Sequence, residues 1–99
     1  MTLTVDGQTF SWDLSKSIIN IEKHGITFQE AATVFKDDNA VMYDDDAHSD
    51  DEERFIIIGA SLKDDLLFVC HCYKDDDIIR IISARKADNR DKQLYMGGA

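Results

Sequence analysis

The chain has no proline, only two cysteines, and 11 basic residues against 20 acidic ones across 99 positions. Each shortage excludes a class of protein. Without proline or a low-complexity tract nothing marks a linker, and this length predicts one domain spanning residues 1–99. Cys70 and Cys72 stand one residue apart, too close for an ordinary structural disulfide, so a reducing, cytoplasmic setting is expected. No run approaches the ~18 apolar residues of a membrane helix. The opening residues lack the charged start and apolar stretch of a signal peptide. No P-loop, G-x-G-x-x-G or G-x-S-x-G motif occurs, so nucleotide binding and serine hydrolysis have no support. A net charge of -9 argues against general affinity for nucleic acid, because an acidic body repels phosphate.

The cations that are present are concentrated. Between positions 80 and 92 lie Arg80, Arg85, Lys86, Arg90 and Lys92 against Asp88 and Asp91. That segment carries +3, which leaves six basic and eighteen acidic residues, or -12, on the rest. A basic patch on an acidic body points to a dedicated anion-binding surface. The acidic remainder either solvates the protein or docks a basic partner.

The periodicity predicts an α+β domain. Leu3-Thr4-Val5 and Thr9 to Trp12 flank Asp6-Gly7, a hairpin turn. Asp13 caps a first helix whose Leu14, Ile18 and Ile21 share a face, and Gly25 ends it. Thr27-Phe28-Gln29-Glu30 reads as a capping box, followed by Phe28, Ala31, Ala32 and Phe35 at buried helical spacing. The two helices are expected to form a compact N-terminal pair. Ala40 to Tyr43, Phe55 to Ala60, Leu66 to Tyr73 and Ile78 to Ser83 then predict an antiparallel meander of about four strands. A C-terminal helix over 87–95, with Ala87, Leu94 and Tyr95 inward, closes the chain.

Two clusters invite a metal reading and fail it. Asp44, Asp46 and Asp50 alternate like a calcium loop, but its glycine position is Ser49 and its glutamate position is Phe55. Cys70-His71-Cys72 in a strand directs both thiols to one face and the imidazole to the other, so the three cannot close on one ion. No metal or other cofactor is expected. The remaining candidates are cations and histidines at element edges: Lys23 and His24 at a helix end, His48 in a polar loop, Glu53-Arg54 at a strand entry, and Arg85-Lys86 where the last strand becomes the last helix. Plain alternation would put 81, 83 and 85 on one face of that strand and 80 and 82 on the other, separating Arg80 from Arg85.

The order of these residues resembles a known family. Trp12-Asp13, Lys16, Asn20, Lys23-His24-Gly25, Phe28, Glu30-Ala31 and Val34-Phe35 are similar to the N-terminal half of the BrnT toxins. Asp45, His48, Glu53-Arg54-Phe55, Ile58-Gly59, Arg80 to Arg85 and Tyr95 extend the likeness over nearly the whole chain. The resemblance implies a compact RelE-like fold and a ribonuclease toxin of a type II toxin–antitoxin system that arrests translation. It implies neutralisation by a BrnA-like antitoxin with a ribbon-helix-helix part, in a heterotetramer that contacts DNA only through the antitoxin.

RNA cleavage through the 2′-hydroxyl needs a base, an acid and a cation for the phosphorane. Arg54 and Arg85 suit the last task, because a guanidinium binds phosphate oxygens in pairs. His24, His48 and Glu53 are the acid–base candidates, and Lys23, Arg80, Lys86 and Arg90 the RNA-binding ones. The acidic run from Asp50 to Glu53 adjoins Arg54 and would oppose RNA. The alternative reading is therefore a weak or inactive member that serves as an antitoxin-binding module. A stand-alone regulatory domain would have neither a cognate partner nor toxicity.

Overall fold

The structure, a computed structural model, describes residues 1–48, 52–75 and 77–97. Strands β1 (Thr2–Val5) and β2 (Gln8–Ser11) form the expected hairpin. Asp6 and Gly7 both take positive φ, 49° and 83°, as the tight mirror-type turn requires. Helices α1 (Leu14–His24) and α2 (Phe28–Thr33) follow, the second running into a 3₁₀ turn over Val34–Lys36. Then come β3 (Val41–Asp44), β4 (Phe55–Ala60), β5 (Leu66–Lys74), β6 (Ile78–Lys86) and α3 (Asn89–Tyr95).

β3 to β6 form the expected antiparallel meander, but the sheet has six strands, in the order β1-β2-β6-β5-β4-β3. The hairpin joins it beside β6, with β2 parallel to β6 through Thr9↔Ile78, Phe10↔Ile79 and Ser11↔Arg80. The four-strand expectation missed this because the docking is non-local: it buries Phe10 on strands nearly 70 positions away.

The helix-pair expectation also needs correction. α1 and α2 each rest on β6 rather than chiefly on one another. Gly25, at φ 70°, ends α1 by donating its N–H to the Ile21 carbonyl at 2.8 Å. The buried Ile26 then anchors the connection in the core.

Asp13 caps α1 by accepting from the Ser15 amide at 2.9 Å, and Thr27 caps α2 by accepting from Glu30 at 3.1 Å. The reciprocal half of the second capping box does not form. The buried Glu30 carboxylate instead accepts from the Ser61 hydroxyl at 2.8 Å.

On α1 the apolar stripe Leu14, Ile18, Ile21 stays about half exposed, and Ser17 and Asn20 are buried instead. The reason lies at the edge of β6. β2 leaves β6 at Arg80, and further on the Asn20 amide does a strand's work. It donates to the Ala84 carbonyl at 2.9 Å and accepts from the Ala84 N–H at 3.0 Å, with a second donation to Ile26.

The two faces of the sheet differ. One is closed by α2 and the hairpin over Phe10, Phe28, Ala31, Val34, Ile57, Leu67, Val69, Ile79 and Ile81. The other gathers Ile56, Ile58 and Cys70 with Val41, Phe68, Ile82 and Tyr95, and α3 packs on β4 there. Tyr95 points inward as expected, whereas Leu94 is exposed. Its hydroxyl donates to Asp37 Oδ2 at 2.7 Å, and that same oxygen accepts from the Ala60 amide at 2.8 Å. Gly59 permits this crowding: a Cβ there would sit 2.9 Å from both Ala40 and Val34 side-chain carbons.

Candidate active site

One irregularity in β6 determines which basic residues meet. Cys70 pairs with Ser83 and His71 with Ile81, so Ile82 is an extra residue, a β-bulge. The bulge resets the alternation. Arg85 pairs with Phe68, Ser83 with Cys70 and Arg80 with Cys72, all on the α3 side of the sheet. The separation of Arg80 from Arg85 expected from plain alternation is therefore wrong. No composition or periodicity signal marks the bulge.

Arg54 reaches the same face from the entry to β4. A cleft of about 210 Å³ is lined by Asp45, Arg54, Ile56, Phe68, Cys70, Ile82 and Ser83. The Asp45 amide donates to the Arg54 carbonyl at 2.8 Å, so both ends of the β3–β4 connection close on the cleft. The Arg54 side chain is 30% exposed and lies 3.9 Å from Glu52, which is equally far from Lys74. Solvent screens pairs this long, so their hold is modest.

Arg85 is 34% exposed and stacks on Phe68, its guanidinium carbon 3.9 Å from the ring centroid. Its Nη1 donates to Asp91 Oδ2 at 2.7 Å and to the Lys86 carbonyl at 3.1 Å. Arg54 thus lines the cleft directly, and Arg85 adjoins it through Phe68, the lining residue on which it stacks.

A second groove of about 170 Å³ shares Ile82 and Ser83 with the first and is lined also by Lys16, Ile19, Asn20, Lys23 and His24. The bulge is thus a floor common to both, with Arg54 on one side and the basic flank of α1 on the other. Lys16 was not among the expected site residues, although it is one of the residues that carry the family resemblance; its place in the groove is decided by how α1 packs on β6. Ser83 and Tyr43 were missed as well. Burial, then the nearby Asp91 carboxylate, raises the Tyr43 phenol above its ordinary pKa, with Arg85 and Arg90 opposing, so Tyr43 lies within electrostatic reach of the cleft.

The other candidates are distributed unevenly. Arg80 is half-buried on the same face, its charge felt at Cys72. Arg90 is exposed on α3, and Lys86 is exposed at the end of β6. Glu53 is exposed and does not line the cleft. For His48 only the backbone, in a 3₁₀ turn over Asp46–His48, is described; its side chain, like Ser49, Asp50 and Asp51, lies outside the described residues.

Cys70, His71 and Cys72 divide between the faces as expected, and both cysteines are free and buried. Burial, reinforced by Asp45, pushes the Cys70 thiol up to about 11, and it donates to Asp45 Oδ2 at 3.7 Å. It is a protonated thiol at neutral pH, unsuited to attack. His71 is fully buried on the closed face among Phe35, Phe55 and Tyr73, and burial pulls its pKa down to about 4. It is a core residue. Among the described residues no group of three His, Cys, Asp or Glu side chains could hold a metal ion. None of their helices is long and apolar enough to cross a membrane.

Two comparisons bear on this arrangement. The family model described as the ribonuclease toxin BrnT of type II toxin–antitoxin systems matches residues 12–91. The fold is similar to that of the Brucella abortus ribonuclease toxin BrnT, known from a 1.1 Å crystal structure. The TM-score is 0.62 at 22% identity, covering 81% of this chain and 96% of that one. No curated protein matches the chain significantly in sequence. The family match takes in α1, the whole meander and Asp91 at the start of α3, and so contains every part of the cleft described above. The chain belongs to the BrnT family of ribonuclease toxins of type II toxin–antitoxin systems.

Proposed function

We propose that this chain is a metal-independent endoribonuclease whose phosphate-binding residues are Arg54 and Arg85, and that its cleavage of RNA halts translation in the cytoplasm. The observation that supports the reading is a cleft lined by Arg54, Phe68 and Ser83, with Arg85 stacked on Phe68, which shares Ile82 and Ser83 with a groove lined by Lys16, Lys23 and His24. The scissile phosphate lies between the guanidinium groups, which stabilise the charge gathering on the phosphorane oxygens. Attack by the adjacent 2′-hydroxyl requires loss of its proton, and the departing 5′-oxygen requires one. His24, which lines the groove, takes one of these transfers, because an imidazole nitrogen can either accept or donate a proton. His48 and Glu53 are the candidates for the other. Lys23, Arg80, Lys86 and Arg90, joined by Lys16, hold the flanking backbone.

The partner is a BrnA-like ribbon-helix-helix antitoxin in a heterotetramer, with DNA contacted through the antitoxin. Incubating the purified chain with single-stranded RNA tests the reading: wild type cleaves, and Arg54→Ala or Arg85→Ala lowers the rate about 10²–10³-fold while staying folded. Intact RNA over a range of salt overturns it.

A second reading, an antitoxin-binding module without cleavage, draws on the half-exposed Leu14, Ile18 and Ile21 stripe and on the acidic body. It predicts tight complex formation with the cognate antitoxin and no growth arrest when the chain is expressed alone.

A further inference from the structure

Arg85 is gripped in an unusual way. Phe68 supports its plane, and Asp91 takes Nη1 at 2.7 Å. Asp91 is almost wholly buried, with 6% of its side chain exposed. Its Oδ2 also accepts the Asp88 N–H at 2.9 Å, and Asp88 Oδ1 in return accepts the Asp91 N–H at 2.9 Å. This is the capping box that starts α3. One carboxylate therefore begins the helix and holds the arginine. A seven-residue helix does not stand alone, and α3 is tied at its far end too, through Tyr95 to Asp37.

We infer that Asp91 is a positioning residue for Arg85, fixing the direction of its guanidinium towards the scissile phosphate. The inference rests on reading Arg85 as a phosphate ligand. Among the described residues all of Arg85's hydrogen bonds and ion pairs run through Nη1. Its Nε and Nη2 form the other edge of the fork, which matches two phosphate oxygens. The buried anion takes part of the arginine's charge and supplies orientation in exchange. Long-range attraction for RNA is left to the other cations that line the cleft and its neighbouring groove, Arg54, Lys16 and Lys23. An arginine aimed before substrate arrives needs no reorganisation as charge develops.

Steady-state cleavage of a mixed-sequence single-stranded RNA by the full chain tests this, with melting temperatures measured alongside. Arg85→Ala is expected to lower kcat at least a hundredfold. Asp91→Asn should lower kcat ten- to a hundredfold with KM within about twofold, and the double variant should be no slower than Arg85→Ala alone. Asp88→Ala removes the cap's side-chain acceptor and only a 3.9 Å ion pair to Arg85, leaving the 2.7 Å contact in place, and should lower the melting temperature while leaving kcat within about twofold. Should Asp91→Asn fail to fold, Asp91→Glu, which keeps the charge but shifts it by one methylene, takes its place with the same non-additive outcome expected. The inference is overturned if the two losses multiply in the double variant, or if Asp91→Asn costs no more activity than Asp88→Ala. If Arg85→Ala cleaves normally, the reading of Arg85 itself fails, and the positioning role falls with it.

Discussion

The two faces of the sheet use the same three strands for different ends. On the closed face β4, β5 and β6 contribute Ile57, Leu67, Val69, Ile79 and Ile81 to a core from which water is excluded. On the other face they present Arg54, Phe68, Cys70, Ser83 and Arg85, and α3 covers only part of the surface. A strand alternates its side chains, so a single run of residues can supply both a dry interior and an anion-binding cleft. Stability is concentrated on one side and the proposed chemistry on the other, which makes the two experimentally separable.

The sharpest way to break that comparison is to truncate one residue on each face. Leu67→Ala or Phe28→Ala, both fully buried, should cost about 2–5 kcal/mol, read as a large fall in the urea midpoint. Arg54→Ala should leave the urea midpoint nearly unchanged and remove RNA cleavage. If the core variants keep their stability, or the arginine variant loses its own, the division between faces is wrong.

The edge between the faces comes next. Asn20→Ala strips three hydrogen bonds and leaves the Ala84 amide and carbonyl unpaired beside α1. The expected loss is about 2–3 kcal/mol, read as a fall in melting temperature of roughly 8–20 °C for a domain this size. Asn20→Asp retains the acceptor but loses the donor and should be intermediate or worse.

A pH experiment addresses the closed face alone. His71 is neutral in the fold, with its pKa pulled down to about 4 from 6.5. The unfolded chain therefore binds the proton first as pH falls. This contribution to stability is complete above about pH 6.5 and is lost progressively between pH 6.5 and 4, on the order of 3 kcal/mol at its end. Urea titrations at pH 7 and pH 5 should show the loss, and His71→Phe should flatten it. An unchanged slope in that variant would place the pH sensitivity elsewhere.

The smallest expected effect concerns Cys70. Although it lines the cleft, its thiol is raised to about 11. Alkylation by iodoacetamide at pH 8 should run more than tenfold slower than for an exposed thiol. Rapid labelling with loss of RNA cleavage would bring sulfur into the chemistry.

Much of the local structure was legible in order of residues. Asp6-Gly7, Asp13, Thr27 and Gly25 mark turns and helix ends through chemistry that acts within four positions, and all four behave as their side chains dictate. The meander was legible for the same reason, since short polar turns leave neighbouring strands no other partner. The hairpin's parallel docking on β6 was not, because nothing local distinguishes one open sheet edge from another. The α1 face was misleading: Leu14, Ile18 and Ile21 have helical spacing, yet the edge of β6 needed an amide more than it needed a methyl group.

By itself, then, the amino-acid order determined the helix caps, the turns, the antiparallel meander and the residue types able to bind phosphate, because each depends on neighbours in the chain. Only the tertiary structure decided that Arg85 lies on the same face of the sheet as the cleft that Arg54 lines, stacked on Phe68. That outcome depends on one unpaired residue, Ile82, whose bulge carries every later side chain of β6 across the sheet, and a bulge is set by how two strands fit rather than by either strand's own sequence.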